Sequence, residues 1–200
     1  MSSPTSSSRT EVMLLDPACT REDAAAVIGR AVVGGYAAVC LPPTLFPLRD
    51  APEDLRLVSV AGYPTGKHHP LIKASEAHMA VVNGAHEVHA VLDTANVVAG
   101  DLNAMISEIV TLREAVPYPA VLRVSPGEDG TGGDLDGDRV RVFCRAAVTA
   151  GADMVWACTD NDVAAMLEAV AGSTVAVAAP VDRAGVARVR VFADGLGYGI

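Results

Sequence analysis

An α/β fold of the (β/α)8 barrel type, shortened at its C-terminal end, is what this sequence predicts, and three observations carry the expectation. Short β-branched runs alternate along the whole chain with longer stretches of 3.6-residue apolar period. The alternation yields eight strands, the number that closes a barrel of parallel strands. The phrases Asn83-Gly84-Ala85-His86-Glu87-Val88 and Ala150-Gly151-Ala152-Asp153-Met154-Val155 form matching joints, each ending a helix on glycine and opening a strand soon after. At 200 residues the chain is short against the roughly 250 typical of such barrels. A doubly wound open sheet is the competing architecture.

The first strand is expected near Val12–Leu15. Thr20 is the N-cap candidate for a helix over Arg21–Gly34, with acids in its first turn and Ala26, Val27, Arg30, Ala31 and Val33 on a mostly apolar face. A strand at Tyr36–Leu41 follows, then a stretch 45–54 too short for a full helix, then a strand at Leu57–Val60. Helix Leu71–Asn83 leads into strand Glu87–Leu92. Helix Asp101–Val116 carries a stripe of Leu102, Met105, Ile106, Ile109 and Val110. The rest reads as strand Ala120–Val124, helix Asp138–Ala150, strand Met154–Ala157, helix Asn161–Ala171 and strands Thr174–Ala178 and Val189–Ala193. Residues 182–187 leave no room for a helix between the last two strands, all joined by parallel crossovers in this reading. Residues 1–10, rich in serine, read as a flexible tail outside a single domain over 11–200.

With 15 Lys and Arg against 24 Asp and Glu, the formal charge of −9 repels nucleic acid and anionic membrane surfaces. The most apolar stretch, 24–41, is broken by Arg30 and Gly34-Gly35, and no uninterrupted run reaches the roughly 18 residues of a membrane span. The opening residues lack the apolar core of a secretory signal, so the expected location is the cytoplasm. Cys19, Cys40, Cys144 and Cys158 are too scattered for a disulfide framework and read as buried free thiols. General signatures fail at single residues. In Gly62-Tyr63-Pro64-Thr65-Gly66-Lys67-His68 the glycines are too close for a phosphate loop, and His68 stands where a hydroxyl belongs. Asp134-Leu135-Asp136-Gly137-Asp138 misplaces the glycine of a calcium loop. No helix can follow Gly195-Leu196-Gly197-Tyr198-Gly199, and His86 and His89 point to opposite faces of a strand. No metal and no cofactor is implied.

The run Ala61-Gly62-Tyr63-Pro64-Thr65-Gly66, followed by Lys73-Ala74-Ser75-Glu76-Ala77 and Asn83-Gly84-Ala85-His86-Glu87-Val88-His89, resembles the deoxyribose-phosphate aldolase family. Val39-Cys40-Leu41-Pro42, Leu14-Leu15 with Pro17 and Thr20, and Gly151-Ala152-Asp153-Met154-Val155 add to the resemblance. It implies a TIM barrel and class I aldolase chemistry through a lysine Schiff base. The family's lysine opens a Lys-Thr-Ser-Thr-Gly phrase after strand six, where this chain reads Trp156-Ala157-Cys158-Thr159-Asp160. The proton-shuttling aspartate falls on His89 and the strand-seven lysine on Ala178. The family's Asp-x-Thr falls on Glu11-Val12-Met13 and its phosphate-cradling Gly-Gly on Val181-Asp182.

A Schiff base needs an amine that sheds its proton near neutral pH. The two lysines are Lys67, in a Gly-Pro turn, and Lys73, expected as a solvated helix-surface charge paired with Glu76. Strand alternation puts Glu87, His89, Val91 and Asp93 on one face, so His89 is either a general base near the barrel mouth or a core histidine held by Asp93. Trp156 either plugs the pocket or offers a stacking platform, with Cys40 and Cys158 at the same mouth. The expected protein is an aldolase-like barrel without Schiff-base activity. Its vestigial pocket, built from Cys40, Lys73, Asp93, Trp156, Cys158, Thr159 and Ala178, would take a small sugar-phosphate-like molecule. A homo-oligomer or an active paralogue is the expected protein partner, covering the clipped flank. A second reading keeps a lyase acting on a 2-deoxyribose 5-phosphate-like sugar, with His89 as acid/base or Lys73 as a relocated amine. A third builds a metal site from His68, His69 and His89.

Overall fold

A computed structural model describes residues 10–48, 50–127, 135–158, 160–181 and 189–193. The strands are β1 (Thr10–Met13), β2 (Ala38–Leu41), β3 (Arg56–Ala61), β4 (Glu87–Val91), β5 (Val121–Ser125), β6 (Met154–Trp156), β7 (Ala176–Val181) and β8 (Val189–Ala193). The helices are α1 (Arg21–Gly34), α2 (Pro70–Val82), α3 (Thr94–Ala99), α4 (Leu102–Ala115), α5 (Gly137–Ala150) and α6 (Asp160–Ala169). A 3-10 turn over Pro43–Leu45 stands where a helix would follow β2. The strands close a barrel in sequence order.

One polarity differs from the sequence expectation. Strands β1 to β7 run parallel to their sequence neighbours, whereas β8 pairs antiparallel with both β7 and β1. A parallel crossover takes a dozen residues or more, and the connection 182–188 is shorter than that. Among the described residues the barrel is therefore closed by an antiparallel strand. The Ser-rich tail, Thr159 and the glycines at 195–199 lie outside the described residues, apart from Thr10, which opens β1.

Local sequence sets the helix ends. Thr20 and Asp23 form a capping box on α1, with Asp23 N–H donating to Thr20 Oγ1 (3.2 Å) and Thr20 N–H to Asp23 Oδ2 (2.8 Å). Gly35, at φ 67°, ends the helix in the left-handed region. The buried face of α1 is Ala24, Val27 and Ala31, so Ala26, Arg30 and Val33 point outward, unlike the expected face. On α4 the buried set is Met105, Glu108, Ile109 and Leu112, and Val110 lies exposed. In both cases the stripe is turned from the expected one, because the helix axis is set by docking on the strands beneath.

Alternation along the strands divides the core into two layers. Val39, Leu41, Val88, Leu122 and Val124 pack outward under the helices. Met13, Cys40, Val58, Val60, Met154 and Trp156 pack inward and fill the barrel.

Candidate functional site

Three of the residues singled out from the sequence meet inside the barrel. Trp156, the last residue of β6, is 1% exposed and pairs in register with Ala178 of β7. His89, central in β4 and fully buried, lies with its ring centroid 4.7 Å from the indole at an interplanar angle of 39°. The indole fits because Ala176 and Ala178 on the neighbouring strand, and Ala38 in the same interior cluster, leave it volume. Cys40 packs in that cluster, and Cys158 lies against it with its thiol donating to the carbonyl of Gly127 (2.9 Å). The arrangement is a packed interior in which the indole lies tilted against an imidazole.

Lys73 and Asp93 sit elsewhere. Lys73 is fully buried under the barrel rim, and its ammonium donates to Gly66 O (2.7 Å), Val91 O (3.1 Å) and Glu108 Oε1. The expected surface pairing with Glu76 is thus overturned, since Glu76 instead accepts from the amide of Gly62 (2.8 Å). Three donors meet three acceptors, so the amine could act as a nucleophile only by leaving a buried acceptor unsatisfied. Burial pushes the Glu108 carboxyl above its ordinary value, and the hydrogen bonds from Lys73 and from the Asp93 amide (3.2 Å) pull it part of the way back. The Gly-Pro phrase 62–66 is a turn built to reach this lysine. Gly66, at φ 67°, brings its carbonyl to the ammonium so closely packed that a Cβ there would lie 1.9 Å from Leu92 O.

Asp93 caps α3 by accepting from the amide of Ala95 (2.9 Å), and it pairs with Lys67 (2.7 Å). Its partial burial pushes its pKa up, but the bonds from Lys67 and Ala95 and the charge of Lys67 outweigh that and hold it below the ordinary value. His68 and His69 lie exposed on the loop before α2, where His69 Nδ1 accepts from the amide of Leu71 (3.2 Å), far from the buried His89 in role and setting. Among the described residues no three His, Cys, Asp or Glu side chains converge as metal ligands. Cys144, on the buried face of α5, has its thiol pushed up to about 12 by desolvation, which leaves it inert as a nucleophile near neutral pH.

The N-terminal end of the barrel holds a charged cluster that sequence reasoning missed. Arg123 of β5 donates through Nε to Glu87 (2.5 Å) and through Nη1 to Glu11 across the barrel (2.5 Å), and Arg56 also donates to Glu87. Glu11, Glu87 and Arg123 are fully buried. The available signal was a charged side chain at an inward position of three mostly apolar strands, and its meaning depends on strands far apart in sequence.

No family model matches the chain. The deoxyribose-phosphate aldolase of Corynebacterium jeikeium (strain K411) is 42% identical over 153 residues, covering 72% of this chain and 60% of that protein, so the chain spans under two thirds of that relative's length. The deoxyribose-phosphate aldolase of Mycolicibacterium paratuberculosis is 39% identical over 169 residues, 80% of this chain and 75% of that one. Among solved structures, the tetrameric deoxyribose phosphate aldolase of Aeropyrum pernix superposes with a TM-score of 0.73 at 23% identity, covering 84% of this chain and 75% of its own, a likeness of fold. The resemblance seen in the motifs and the identity to full-length relatives agree: the chain belongs to the deoxyribose-phosphate aldolase family.

Proposed function

We propose that this chain keeps the aldolase barrel without Schiff-base catalysis. The observation that carries the reading is Trp156, a buried indole stacked on His89 at the position that resembles the family's nucleophilic lysine. Imine formation needs a nitrogen lone pair inside the barrel, facing the substrate carbonyl. Of the two lysines, Lys73 has all three ammonium donors engaged beneath the rim and Lys67 stands half-exposed on Asp93. His89 alone does not replace them, since a placed general base contributes about 10²–10⁴-fold. Its imidazole also faces an indole where a proton-shuttling group would face substrate.

The test is incubation with 2-deoxyribose 5-phosphate, borohydride reduction and intact-mass analysis, alongside an assay for released acetaldehyde. The expected result is an unmodified mass and no turnover. An adduct at Lys67, Lys73 or the N-terminal amine would overturn the reading in favour of an active lyase with a relocated amine. A chain carrying His89→Asp, Trp156→Lys and Ala178→Lys together is expected to trap the sugar at position 156, which ties the loss of chemistry to these three positions.

A small-molecule role for the old pocket would require a ligand to displace Trp156 or stack on it. Trp156 is the chain's single tryptophan, so its fluorescence reports such an event directly. Titration with the same sugar phosphate is expected to leave emission unchanged. The four free thiols favour a reducing compartment such as the cytoplasm, and no helix among the described residues is long and apolar enough to cross a membrane.

A further inference from the structure

We infer that the valley between α5 and α6 is a docking groove for an acidic amphipathic helix of a partner protein. The groove has a volume of about 720 Å³, and its walls are α5 on one side and the end of α6 with the turn at 171–173 on the other. Asp138, Arg141, Val142, Arg145, Val148 and Thr149 face it, at i, i+3, i+4, i+7, i+10 and i+11. That spacing is one stripe of a helix surface, about 16 Å long at a rise of about 1.5 Å per residue. The floor is apolar, made by Val142, Ala169 and Val170 with Val148, which is 38% exposed. Both walls belong to consecutive strand–helix units whose strands β5, β6 and β7 are paired in register. A valley with two walls suits a third helix, whose apolar ridge packs about 8–10 Å from the axes below it. A small molecule lying there would keep one face in water, whereas ligand pockets bury most of their occupant.

Charge complementarity sets the chemistry of that helix. The chain carries a formal charge of −9, yet the stripe of α5 facing the groove holds two arginines against one acid. Arg141 pairs with Asp138 at i, i+3, with the two side chains 57% and 87% exposed. A pair so exposed contributes little and is readily exchanged for another. Arg145, one turn further on, is exposed and has no ion pair among the described residues. Both arginine stems lie along the apolar floor while their planar forks reach outward, a geometry that takes a carboxylate bidentately. Two acids at i and i+4 on the incoming helix match two guanidiniums that stand one turn apart. A basic helix would bring its charges against both of them as water leaves the contact. The negative field of the whole chain repels an extended polyanion or an anionic membrane, so the groove favours a helix that carries a few acids beside an apolar ridge.

The experiment is an NMR titration of the isotopically labelled full chain with a synthetic helical peptide of about 15 residues, cross-linked to hold its helix. The peptide carries leucine along one stripe and glutamate at i and i+4 beside it, and a twin carries lysine in place of glutamate. No turnover is read, so the outcome is separate from that of the catalytic reading. The expected result is saturable binding of the acidic peptide, with amide shifts confined to α5 and residues 169–173, and binding of the lysine twin weaker by about tenfold or more. Arg145→Glu is expected to weaken the acidic peptide by about tenfold and to tighten the lysine twin. Arg145→Lys, which keeps the charge without the fork, should fall between the parent and Arg145→Glu. Equal affinity for the two peptides, indifference to Arg145→Glu, shifts outside this groove, or no binding at millimolar peptide would each overturn the inference. Dodecanoate moving the same amides where the acidic peptide moves none would assign the groove to an acyl anion and overturn it equally.

Discussion

Lys73 sits in a place closed to water, and Glu108 is the carboxyl paired with its ammonium there. A buried pair contributes little over an apolar replacement of the same shape, yet removing one member strands the other. Lys73→Met is therefore expected to lower unfolding free energy in urea by about 3–5 kcal/mol, and adding Glu108→Leu to recover a substantial part of the loss. A catalytic amine would instead show itself by lost activity at little change in stability. His86 gives a second residue-level test, in pH. Its Nδ1 accepts from the amide of Leu57 (2.9 Å), an interaction that protonation destroys. Partial burial first, and the charge of Arg56 second, hold its pKa below the ordinary 6.5. The folded pKa lies below the unfolded one, so this contribution to stability is complete above about 6.5 and is lost as pH falls through the lowered folded value. Ring-proton shifts in an NMR titration should report a His86 midpoint below that of free imidazole, with the Leu57 amide moving in step. His86→Ala should flatten that limb of the stability profile.

At the scale of elements, caps decide where helices begin, and they also decide what a reader of the sequence can find. Helix α1 was legible to the residue because Thr20, Asp23 and Gly35 each carry a cap signal on their own. The six residues of α3 were not, since Thr94, Val97 and Val98 are β-branched and the helix depends on one side chain, Asp93, folding back on the Ala95 amide. Asp93→Ala is accordingly expected to unwind α3 and to cost about 1 kcal/mol of stability, seen as faster amide exchange over residues 95–100. The reversed direction of β8 was illegible for a different reason: a strand's alternation reads the same from either end, and only the length of 182–188 bears on polarity. Lys73 lay on a readable pattern, one and two turns before the buried Ala77 and Ala80, but its partner Glu108 is 35 residues away on another helix. His89, Trp156 and Ala178 were placed together through resemblance to the family, and their meeting in the barrel interior follows from strand register.

Across the whole molecule, the barrel's two ends are held by opposite means. The C-terminal interior is packed and aromatic, with Trp156 and His89 among cysteine, methionine and alanine. The N-terminal interior is ionic, and there Arg123 joins β5 to β4 and, across the barrel, to β1. Strands β1 and β5 share no backbone pairing, so this guanidinium is a tie between opposite walls that the sheet's own hydrogen bonds do not supply. It also keeps two fully buried carboxylates compensated. Arg123→Met removes the tie and leaves Glu11 facing the interior without that cation. The expected loss is about 3–5 kcal/mol or more, large against the roughly 5–15 kcal/mol that a domain has in total. If the loss comes from stranded charge, adding Glu11→Gln should return a large share of it, because a neutral amide is far less costly to bury than an uncompensated carboxylate. If it comes instead from an interior left loose, the second substitution should return nothing. Urea unfolding of the two variants, followed by fluorescence of Trp156 at the opposite end of the barrel, separates these outcomes. Coincidence of that signal with loss of secondary structure would show that the ionic floor and the aromatic end of the barrel unfold as one cooperative unit.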